Sequence, residues 1–439
     1  MVKLPEEFIS TTRRTMGDER FERYMQSFEE EPPVSIRLNP RKVESGQWSV
    51  EGGEPVPWCS HGYYLKQRPQ FTMDPLLHAG CYYVQEAASM FLDEVLRQFS
   101  IFHFQFSIDL CAAPGGKSTL LRSALPEDCM LTSNEPNAKR CQVLAENVEK
   151  WGYDNHIVTN NYPHDFVKAR QRYDLILCDV PCSGEGMFRK DAATISEWSP
   201  AQVEKCWRLQ REIVSDAWQC LNDGGIIIYS TCTFNTRENE ENVRWFMEHL
   251  GAEVVPVNGV KPEWNITGSL LEGFTEPVYR FIPGITRSEG LFMCVMRKSS
   301  SLSTESLDSL TPNPSPSGEG SEYTQGRNGH KNKRKKKDVN SEILKVITPL
   351  SSRRGVGGEA FGGEATAELT YQQALQYLRH EALVLPPETP RGELTVTFMG
   401  QALGRVKNIG PRANNLYPKE WRIKTTHTPD NYEPVIIKH

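Results

Sequence analysis

The sequence lacks three features that would assign it to common classes of protein. No apolar run reaches the roughly 20 residues that a membrane-spanning helix needs. The opening residues, MVKLPEEFISTT, lack the charged-then-apolar pattern of a signal peptide. There is no CxxC pair, and the nearest two cysteines, Cys178 and Cys182, have the wrong spacing for a zinc site. We therefore expect a cytoplasmic protein with reduced thiols, no bound metal and no contact with a membrane.

The chain also lacks an excess of positive charge. Its 50 Lys and Arg residues against 56 Asp and Glu give a formal net charge of -6, which argues mildly against a protein that coats nucleic acid. Net charge averages over the whole surface, so a local basic groove is still compatible with this value. A chain of 439 residues predicts two or three domains. Nothing in it requires more than a monomer.

The pattern along the chain predicts three ordered regions. Residues 1–80 read as a small α+β, RNA-binding extension, with one helix from Pro5 to Glu29 and the strand-like VSIRLNP. Residues 81–298 alternate short apolar runs with helices, which predicts a Rossmann-like α/β domain whose mostly parallel sheet binds ligands at the carboxyl ends of its strands. The expected strands are FSIDLC, CMLTSNE, HIVTNN, YDLILCDV, GIIIYST, PVYRFIP and GLFMCVMR. Ser199 and Pro200 predict the start of a helix that Gly224 and Gly225 end.

Composition changes sharply after residue 298. Residues 299–367 are rich in Ser, Pro and Gly and contain the basic run HKNKRKKK, which predicts a disordered low-complexity linker. Residues 368–439 then predict a β-rich module. Tyr417 and Trp421 stand among its cations, as expected where both phosphates and bases are contacted, although a basic surface beside two core aromatics fits equally well. These cations are Arg405, Lys407, Arg412, Lys419, Arg422 and Lys424.

A glycine-containing turn lies where the first strand of the α/β domain leads into its first helix, at Asp109 to Gly116. Gly115 and Gly116 allow a ligand to approach the backbone, and the helix amino terminus offers unpaired N–H groups. The phosphate-loop motif would require a glycine at Cys111, and a GxGxxG motif is also absent. Glu135, at the end of the second strand, is suited to accept hydrogen bonds from ribose hydroxyls.

Two cysteines stand at the ends of two strand-like runs. Cys232 follows IIIYST, and Cys182 follows Pro181 in a turn that begins with Asp179. Cytosine C5 becomes nucleophilic when a thiolate adds to C6, and the C5 proton must leave before the thiol is expelled. Cys232 suits the addition and Cys182 the second step. Asp179 is placed to hydrogen-bond the ring N3 or the exocyclic amine.

The charged residues near the two cysteines are interpreted as surface residues or as part of a helix start. Arg189 and Lys190 offer cations to phosphate, although a solvated surface position is the simpler expectation for both. The run NTRENEENV, with Asn235 and Glu238 at capping spacing, predicts the acidic start of a helix. No chemistry is assigned to it.

Three of these stretches, CAAPGGK, DVPCSGEG and YSTCTFN, resemble in order and spacing the motifs of the NOL1/NOP2/Sun family of RNA cytosine-C5 methyltransferases. The phrase MGQALGRVKNIGPRANNLYPKEWRI looks like the C-terminal PUA-like module of the bacterial, RsmF-like branch that modifies 16S rRNA. The resemblance implies S-adenosylmethionine as cofactor, Cys232 as nucleophile, Cys182 as the residue that assists product release, and rRNA or the small ribosomal subunit as partner.

The resemblance also implies a set of cofactor contacts. Relatives often carry an acid near the end of the third strand that touches the adenine, and the counterpart here is Asn161, with Asp165 as the alternative. The linker insert departs from the family pattern, which would leave the PUA-like module loosely tethered. The implied contacts are Cys111, Ala112, Ala113, Pro114, Gly115, Gly116, Lys117, Glu135, Asn161 and Asp179.

Other functions compete with methylation of C5 in 16S rRNA. A tRNA cytosine-C5 methyltransferase would use the same chemistry on another substrate. A DNA cytosine methyltransferase takes its nucleophile from the Pro-Cys turn, so Cys232 would be unneeded. A non-catalytic ribosome-assembly factor would bind RNA, but it need not keep Cys182, Cys232 and Asp179 together.

Overall fold

The computed structural model describes residues 3–43, 46–99, 103–299, 344–347, 365–425, 429 and 431–439. Most of the predicted linker, 299–367, lies outside these described residues.

The amino-terminal region contains two helices where the sequence predicts one. Gly17 separates them with a φ of 78°, in the left-handed region that favours glycine. An antiparallel sheet follows, with strand order β3-β4-β1-β5. The elements are α1 (Glu6–Met16), α2 (Asp18–Gln26), β1 (Val34–Leu38), β2 (Trp48–Val50), β3 (Glu54–Pro55), β4 (Gly62–Leu65), α3 (Pro75–His78) and β5 (Tyr82–Val84).

The central region is the Rossmann-like α/β domain that the sequence predicts, and all seven expected strands are present. Its elements are α4 (Phe91–Arg97), β6 (Phe106–Asp109), α5 (Gly116–Ala124), β7 (Met130–Asn134), α6 (Ala138–Trp151), β8 (His156–Thr159), α7 (Pro163–Lys168), β9 (Tyr173–Asp179), α8 (Ala192–Glu197), α9 (Pro200–Cys220), β10 (Leu221–Thr231), α10 (Glu240–Leu250), β11 (Ala252–Val254), β12 (Tyr279–Phe281) and β13 (Leu291–Lys298).

The order of these strands places a ligand site at one edge of the sheet. The strands run β11-β13-β10-β9-β6-β7-β8, with β6 to β10 parallel and β13 antiparallel to β10. The chain moves outward from β6 through β7 to β8, then returns to β9 on the other side of β6. Ligands of doubly wound sheets bind at such a switch point, beside the carboxyl ends of the strands.

Helix α9 begins as predicted and ends earlier than predicted. The Ser199 hydroxyl accepts a hydrogen bond from the Gln202 amide at 3.1 Å, and Pro200 occupies the first turn. The helix ends at Cys220, because the chain enters β10 at the next residue. Gly224 and Gly225 therefore lie inside β10, where its pairing with β9 shifts register.

The carboxyl-terminal region is β-rich, as predicted. It contains β14 (Val346–Ile347), β15 (Thr366–Glu368), α11 (Tyr371–Leu378), β16 (Gly392–Phe398), β17 (Gln401–Asn408), β18 (Ala413–Asn415) and β19 (Ile436–Lys438). The strand order of its sheet is β15-β16-β17-β18. The prediction of a structureless linker over 299–367 is wrong at β14, which pairs with β8, and at the start of β15, which pairs with β16.

The carboxyl-terminal module shares a hydrophobic core with the amino-terminal sheet, so the expectation of a loose tether is also wrong. Leu38 and Leu76 belong to the same buried cluster as Tyr377 and Leu403. Strand β19 pairs with β2 across the boundary. The hydroxyls of Tyr82 and Tyr432, one from each region, both donate to the carboxylate of Asp74, at 2.7 and 2.9 Å.

The module's two aromatic side chains are part of this core. Tyr417 and Trp421 are 1% and 9% exposed, because the Tyr417 ring packs against Tyr377 and Trp421. The expectation that they contact bases is therefore replaced by the core interpretation. Five of the six neighbouring cations are exposed: Lys407, Arg412, Lys419, Arg422 and Lys424.

Both faces of the large sheet are covered. Along β10, Ile226 and Ile228 point into one buried cluster, whereas Ile227 and Tyr229 point into another. Because alternate residues of the strands are buried on the two faces, neither face is open to a ligand. The carboxyl ends of the strands are then the open edge of the domain. Among the described residues, no helix is long and apolar enough to cross a membrane.

Candidate active site

The two predicted cysteines meet at the carboxyl ends of neighbouring strands. Asp179 of β9 pairs in register with Ser230 of β10, so the turns that follow the two strands lie side by side. The Sγ atoms of Cys182 and Cys232 are 3.2 Å apart, and the Cys232 amide donates to the Cys182 Sγ at 3.3 Å. Both residues are half-buried free thiols. The sulfurs are therefore in hydrogen-bond contact without a covalent bond.

This contact makes the two thiols chemically unequal. The hydrogen bond to Cys232 and burial both raise the pKa of Cys182 well above its ordinary value. Cys182 therefore holds its proton. It is a poor nucleophile in this state, because the thiolate is the form of cysteine that attacks carbon.

Glu185 joins the two cysteine-bearing turns. Its carboxylate accepts hydrogen bonds from the amides of Phe234 and Asn235, at 2.8 and 2.9 Å, and from the indole N–H of Trp198 at 3.0 Å. These bonds hold the residues after Cys232 against the turn that follows Cys182.

Glu238 provides a second buried carboxylate under the same turns. It accepts from the Ser183 amide at 3.0 Å, the Gln210 side chain at 2.7 Å and the Asn235 side chain at 2.8 Å. Burial raises the pKa of Glu238 to about 7, while the Ser183 and Asn235 hydrogen bonds lower it. The predicted helix start is confirmed, because α10 begins at Glu240 within this run and the Glu238 amide donates to Asn235 Oδ1 at 2.8 Å. Glu238 itself is buried beneath the site.

Gly186 allows the turns to approach each other. A Cβ atom at Gly186 would lie 2.6 Å from the Cα of Gly290 and 2.9 Å from the carbonyl oxygen of Cys232. The Gly186 amide also donates to that carbonyl at 2.8 Å. A larger residue at this position would separate the two turns.

The glycine-containing turn lies between β6 and α5, at the switch point. Gly115 has a φ of 114°, in the left-handed region, and α5 begins at Gly116. The Asp109 carboxylate accepts from the Ser118 hydroxyl at 2.6 Å through Oδ2, whereas its buried Oδ1 has no hydrogen-bond partner among the described residues. Burial raises the pKa of Asp109 to about 7.

The amino-terminal sheet supports this turn. Arg37 of β1 is buried and donates to the Thr119 hydroxyl at 2.6 Å and to the Gly116 carbonyl at 3.3 Å. The Tyr83 hydroxyl of β5 donates to the Pro114 carbonyl at 3.3 Å. Ala112 and Ala113 are buried in a small cluster with Leu144, so one side of the turn is held by helix α6.

Lys117 and Asp179 connect the glycine-containing turn to the cysteine pair. Lys117 Nζ lies 2.8 Å from Asp179 Oδ2, and the Ser230 hydroxyl donates to Asp179 Oδ1 at 2.6 Å. Burial lowers the pKa of Lys117, but the carboxylate of Asp179 outweighs this effect and raises it overall. Both predicted residues therefore stand between the turn and Cys232. Cys111 is half-buried, and burial raises the pKa of its thiol well above the ordinary value.

Glu135 and Asn161 lie at the ends of β7 and β8. The Glu135 carboxylate accepts from the Asn137 amide at 2.9 Å and lies 3.4 Å from Arg140, which also donates to the Ala113 carbonyl at 2.7 Å. The side-chain amide of Asn161 is directed at the main chain of Lys345, with bonds of 2.9 and 3.2 Å. The alternative residue, Asp165, caps α7 by accepting from the Tyr162 amide.

Arg189 is neither a free phosphate ligand nor a solvated residue. Its side chain is 5% exposed and pairs at 2.7 Å with the buried carboxylate of Glu289. The neighbouring Lys190 is exposed. This pair could not be predicted from the sequence, because Glu289 lies 100 residues away along the chain.

Two grooves adjoin at Arg68. The first, of about 1120 Å³, lies between the amino-terminal sheet and the central domain and includes the cations Lys66, Lys190 and Arg287. The second, of about 720 Å³, lies against the carboxyl-terminal module and includes Arg422 and Lys424. Arg68 lines both grooves, so they form a path from the central domain to the module. Glu30, Glu31 and Glu86 also line the first groove, so cations and carboxylates are mixed there.

Three family descriptions match successive parts of this chain. The description "N-terminal domain of 16S rRNA methyltransferase RsmF" matches residues 4–87, "16S rRNA methyltransferase RsmB/F" matches residues 103–297, and "Methyltransferase RsmF PUA domain" matches residues 364–423. The chain is similar to the ribosomal RNA small subunit methyltransferase F of Salmonella heidelberg, with 30% identity over 95% of this chain and 96% of that protein. The corresponding protein of Salmonella paratyphi A is 29% identical over the same shares.

Solved structures share the fold. A methyltransferase homologue from Pyrococcus horikoshii aligns with a TM-score of 0.57 and 24% identity, over 68% of this chain and 96% of that chain. The structure of NSun6 from Pyrococcus horikoshii with SFG aligns with a TM-score of 0.56 and 19% identity, over 68% of this chain and 99% of that chain.

Replacing Glu238 by alanine should destabilise the protein by about 2–4 kcal/mol, because the Ser183 amide and the Gln210 side chain would lose their buried acceptor and a cavity would form. The matched control is Glu241→Ala, in the first turn of the helix that follows. Glu241 makes an ion pair with Arg237 that is one-third exposed, so its loss should cost less than about 0.5 kcal/mol. Urea unfolding of both variants measures the difference. Equal stabilities would mean that Glu238 does not hold the turn.

Proposed function

Because this chain belongs to the 16S rRNA methyltransferase RsmB/F family, we propose that it transfers a methyl group from S-adenosylmethionine to C5 of a cytidine in 16S rRNA. The observation that carries the choice of cytosine C5 is the 3.2 Å contact between Cys182 and Cys232 at the switch point of the sheet. Neither thiol would be needed to methylate a hydroxyl or an exocyclic amine.

The residues at the open edge of the sheet fit S-adenosylmethionine. Its sulfonium supplies the methyl group, and its positive charge suits the neighbourhood of Asp109 and Asp179. Glu135, at the end of β7, is suited to the ribose hydroxyls, with Arg140 joining it to the glycine-containing turn. The contacts proposed from the sequence, Cys111 to Lys117, Glu135, Asp179 and Asn161, all lie along this edge. The NSun6 neighbour contains SFG, an analogue of S-adenosylmethionine.

Cys232 begins the reaction in this proposal. Its thiolate forms a bond from Sγ to C6 of the cytosine, and the electrons of the C5–C6 double bond make C5 nucleophilic. Asp179 would accept a hydrogen bond from the exocyclic amine or from a protonated N3, which holds the ring for the attack. C5 would then take the methyl group as the bond between that carbon and the sulfonium sulfur breaks.

Cys182 acts in the second half of the reaction. Hydrogen bonding to Cys232 and the negative charge on that sulfur are among the causes that raise its pKa. Both end once Cys232 is bound to carbon as a neutral thioether, and in this proposal Cys182 loses its proton to solvent at this stage. The resulting thiolate accepts the C5 proton. The electrons of the C5–H bond restore the double bond, and Cys232 leaves as a thiolate.

RNA would reach the cysteine pair along the path of the two grooves. Lys66, Arg68 and Lys190 are exposed and suited to phosphates on the central-domain side, and Arg422 and Lys424 on the side of the module. The target base must be unpaired or flipped to reach the sulfurs, which lie at the end of the sheet.

Bisulfite sequencing of total RNA from cells with and without the gene tests the proposal. We expect one cytosine in 16S rRNA to lose its protection when the gene is absent. Loss of protection in tRNA instead would keep the chemistry and contradict the substrate. If no protected cytosine disappears, the enzymatic proposal fails in favour of a non-catalytic assembly factor.

A further inference from the structure

A short part of the segment between the central domain and the module is docked on the edge of the large sheet. Residues 344–347, called here the edge segment, contain β14, which pairs antiparallel with β8. The pairing places Val346 beside Thr159 and Ile347 beside Val158, and the Asn160 amide donates to the Lys345 carbonyl at 3.0 Å. The segment therefore extends the sheet at the carboxyl end of β8.

The main chain of Lys345 also binds the side chain of Asn161 at both ends. The Lys345 amide donates to Asn161 Oδ1 at 2.9 Å, and Asn161 Nδ2 donates to the Lys345 carbonyl at 3.2 Å. The backbone of Asn161 is bonded to the side chain of Asn134. The orientation of Asn161, which the sequence suggests as the adenine contact, is thus set by the edge segment.

The edge segment reaches Glu135 through Asn160. The Asn160 side chain donates to the carbonyls of Glu135 and Pro136, at 2.7 and 2.9 Å, and Lys345 Nζ donates to Asn160 Oδ1 at 3.3 Å. Asn160 therefore connects Lys345 with the turn that carries the proposed ribose ligand.

The apolar side chains of the segment are anchored at the same edge. Ile347 packs against the cluster of Ala112, Ala113 and Val158, which includes the glycine-containing turn. Leu344 packs against the cluster that contains Val180, from the turn after β9. Hydrogen bonds and packing thus attach the segment to β8 and to the cluster that includes the turn after β6.

We propose that the edge segment is part of the cofactor site, with Lys345 as a positioning residue that acts through Asn160 and Asn161. Its main chain holds both asparagines, and with them the Glu135 turn, in the arrangement that receives the adenosyl group. This inference rests on the proposed function, because it requires S-adenosylmethionine at the carboxyl ends of β6, β7 and β8.

Binding of S-adenosylhomocysteine to the full chain, measured by isothermal titration calorimetry, tests this role without turnover. Lys345→Pro removes the amide that bonds Asn161, and we expect Kd to rise about tenfold, as for the loss of one buried hydrogen bond. Lys345→Ala is the matched control. It keeps the main chain and loses only the 3.3 Å contact of Nζ with Asn160, so its Kd should rise by less than that of Lys345→Pro.

A double-mutant cycle tests whether the effect passes through Asn161. In an Asn161→Ala background, Lys345→Pro should add less than about twofold, because the two changes remove the same contact. Wild-type Kd in a folded Lys345→Pro variant, checked by thermal unfolding, would overturn the inference. A wild-type chain that does not bind S-adenosylhomocysteine would instead contradict the proposed function.

Hydrogen exchange on the wild-type chain gives a second test that needs no variant to fold. The Asn160 amide donates to the Lys345 carbonyl, so S-adenosylhomocysteine should slow the exchange of this amide if ligand and segment stabilise each other. Unchanged or faster exchange at saturating ligand would show that the segment is not part of the site.

Discussion

Cys232→Ala is expected to lose methyl transfer by a factor on the order of 10⁴ or more while still binding S-adenosylhomocysteine with wild-type affinity. The loss is large because no other group is placed to add to C6. Cys182 lies 3.2 Å away, but its raised pKa keeps it protonated, and a thiol is a poor nucleophile. Transfer of tritium from labelled S-adenosylmethionine to rRNA measures the rate, and calorimetry measures the affinity.

The control for this variant is Cys220→Ala. Cys220 is a buried free thiol at the end of α9, in the core between that helix and the sheet. Its removal should alter stability slightly and leave the rate of transfer unchanged. Normal turnover by Cys232→Ala would overturn the assignment of the nucleophile, and loss of ligand binding in that variant would show that the substitution disturbs the cofactor turn.

The strands and the contact between the two cysteines could be predicted from the sequence. The strands follow from the pattern of apolar residues, and the contact follows from the rule that neighbouring parallel strands end at the same edge of a sheet. IIIYST and YDLILCDV are buried on both faces and read as continuous apolar runs. Once both are assigned to neighbouring parallel strands, Cys232 and Cys182 must lie at the same edge. Geometry adds the distance of 3.2 Å between the two Sγ atoms.

The residues that sequence reasoning missed are those whose role depends on burial by distant segments. Glu238 stands in an acidic run that has the composition of an exposed helix start, and only the packing of α9 through Gln210 encloses it. In the sequence, Arg189 has the pattern of a surface cation. In the structure it is buried in an ion pair with Glu289, which lies in the last part of the domain. Capping spacing and composition carry no information on either contact.

The carboxyl-terminal module shows the same limit. Its cations are exposed, as composition suggests, but Tyr417 and Trp421 belong to a core shared with the amino-terminal sheet. A basic module with two aromatics is equally consistent with base stacking and with core packing. Core packing is decided by the amino-terminal sheet, which lies more than 300 residues earlier in the chain and shares the core. The edge segment was not predicted, because four residues in a low-complexity stretch are too few to show the hydrophobic periodicity of a strand.

Cys182→Ala is expected to have a different outcome from Cys232→Ala: the covalent protein–RNA adduct should accumulate. The nucleophile is still present, so Cys232 adds to C6 and C5 takes the methyl group. The group proposed to accept the C5 proton is missing, and the bond from Sγ to C6 cannot break until that proton leaves. The accumulated species is a methylated cytosine attached to Cys232.

A denaturing gel separates the adduct from free protein, because a covalent bond survives detergent and heat. We expect a slower band that needs both S-adenosylmethionine and RNA and that disappears on ribonuclease treatment. The matched control is the double variant Cys182→Ala, Cys232→Ala, which lacks the attacking sulfur and should give no band. Retained activity without an adduct would remove Cys182 from product release. Loss of both activity and adduct would show that the hydrogen bond from Cys182 to Cys232 is needed earlier, for the attack itself.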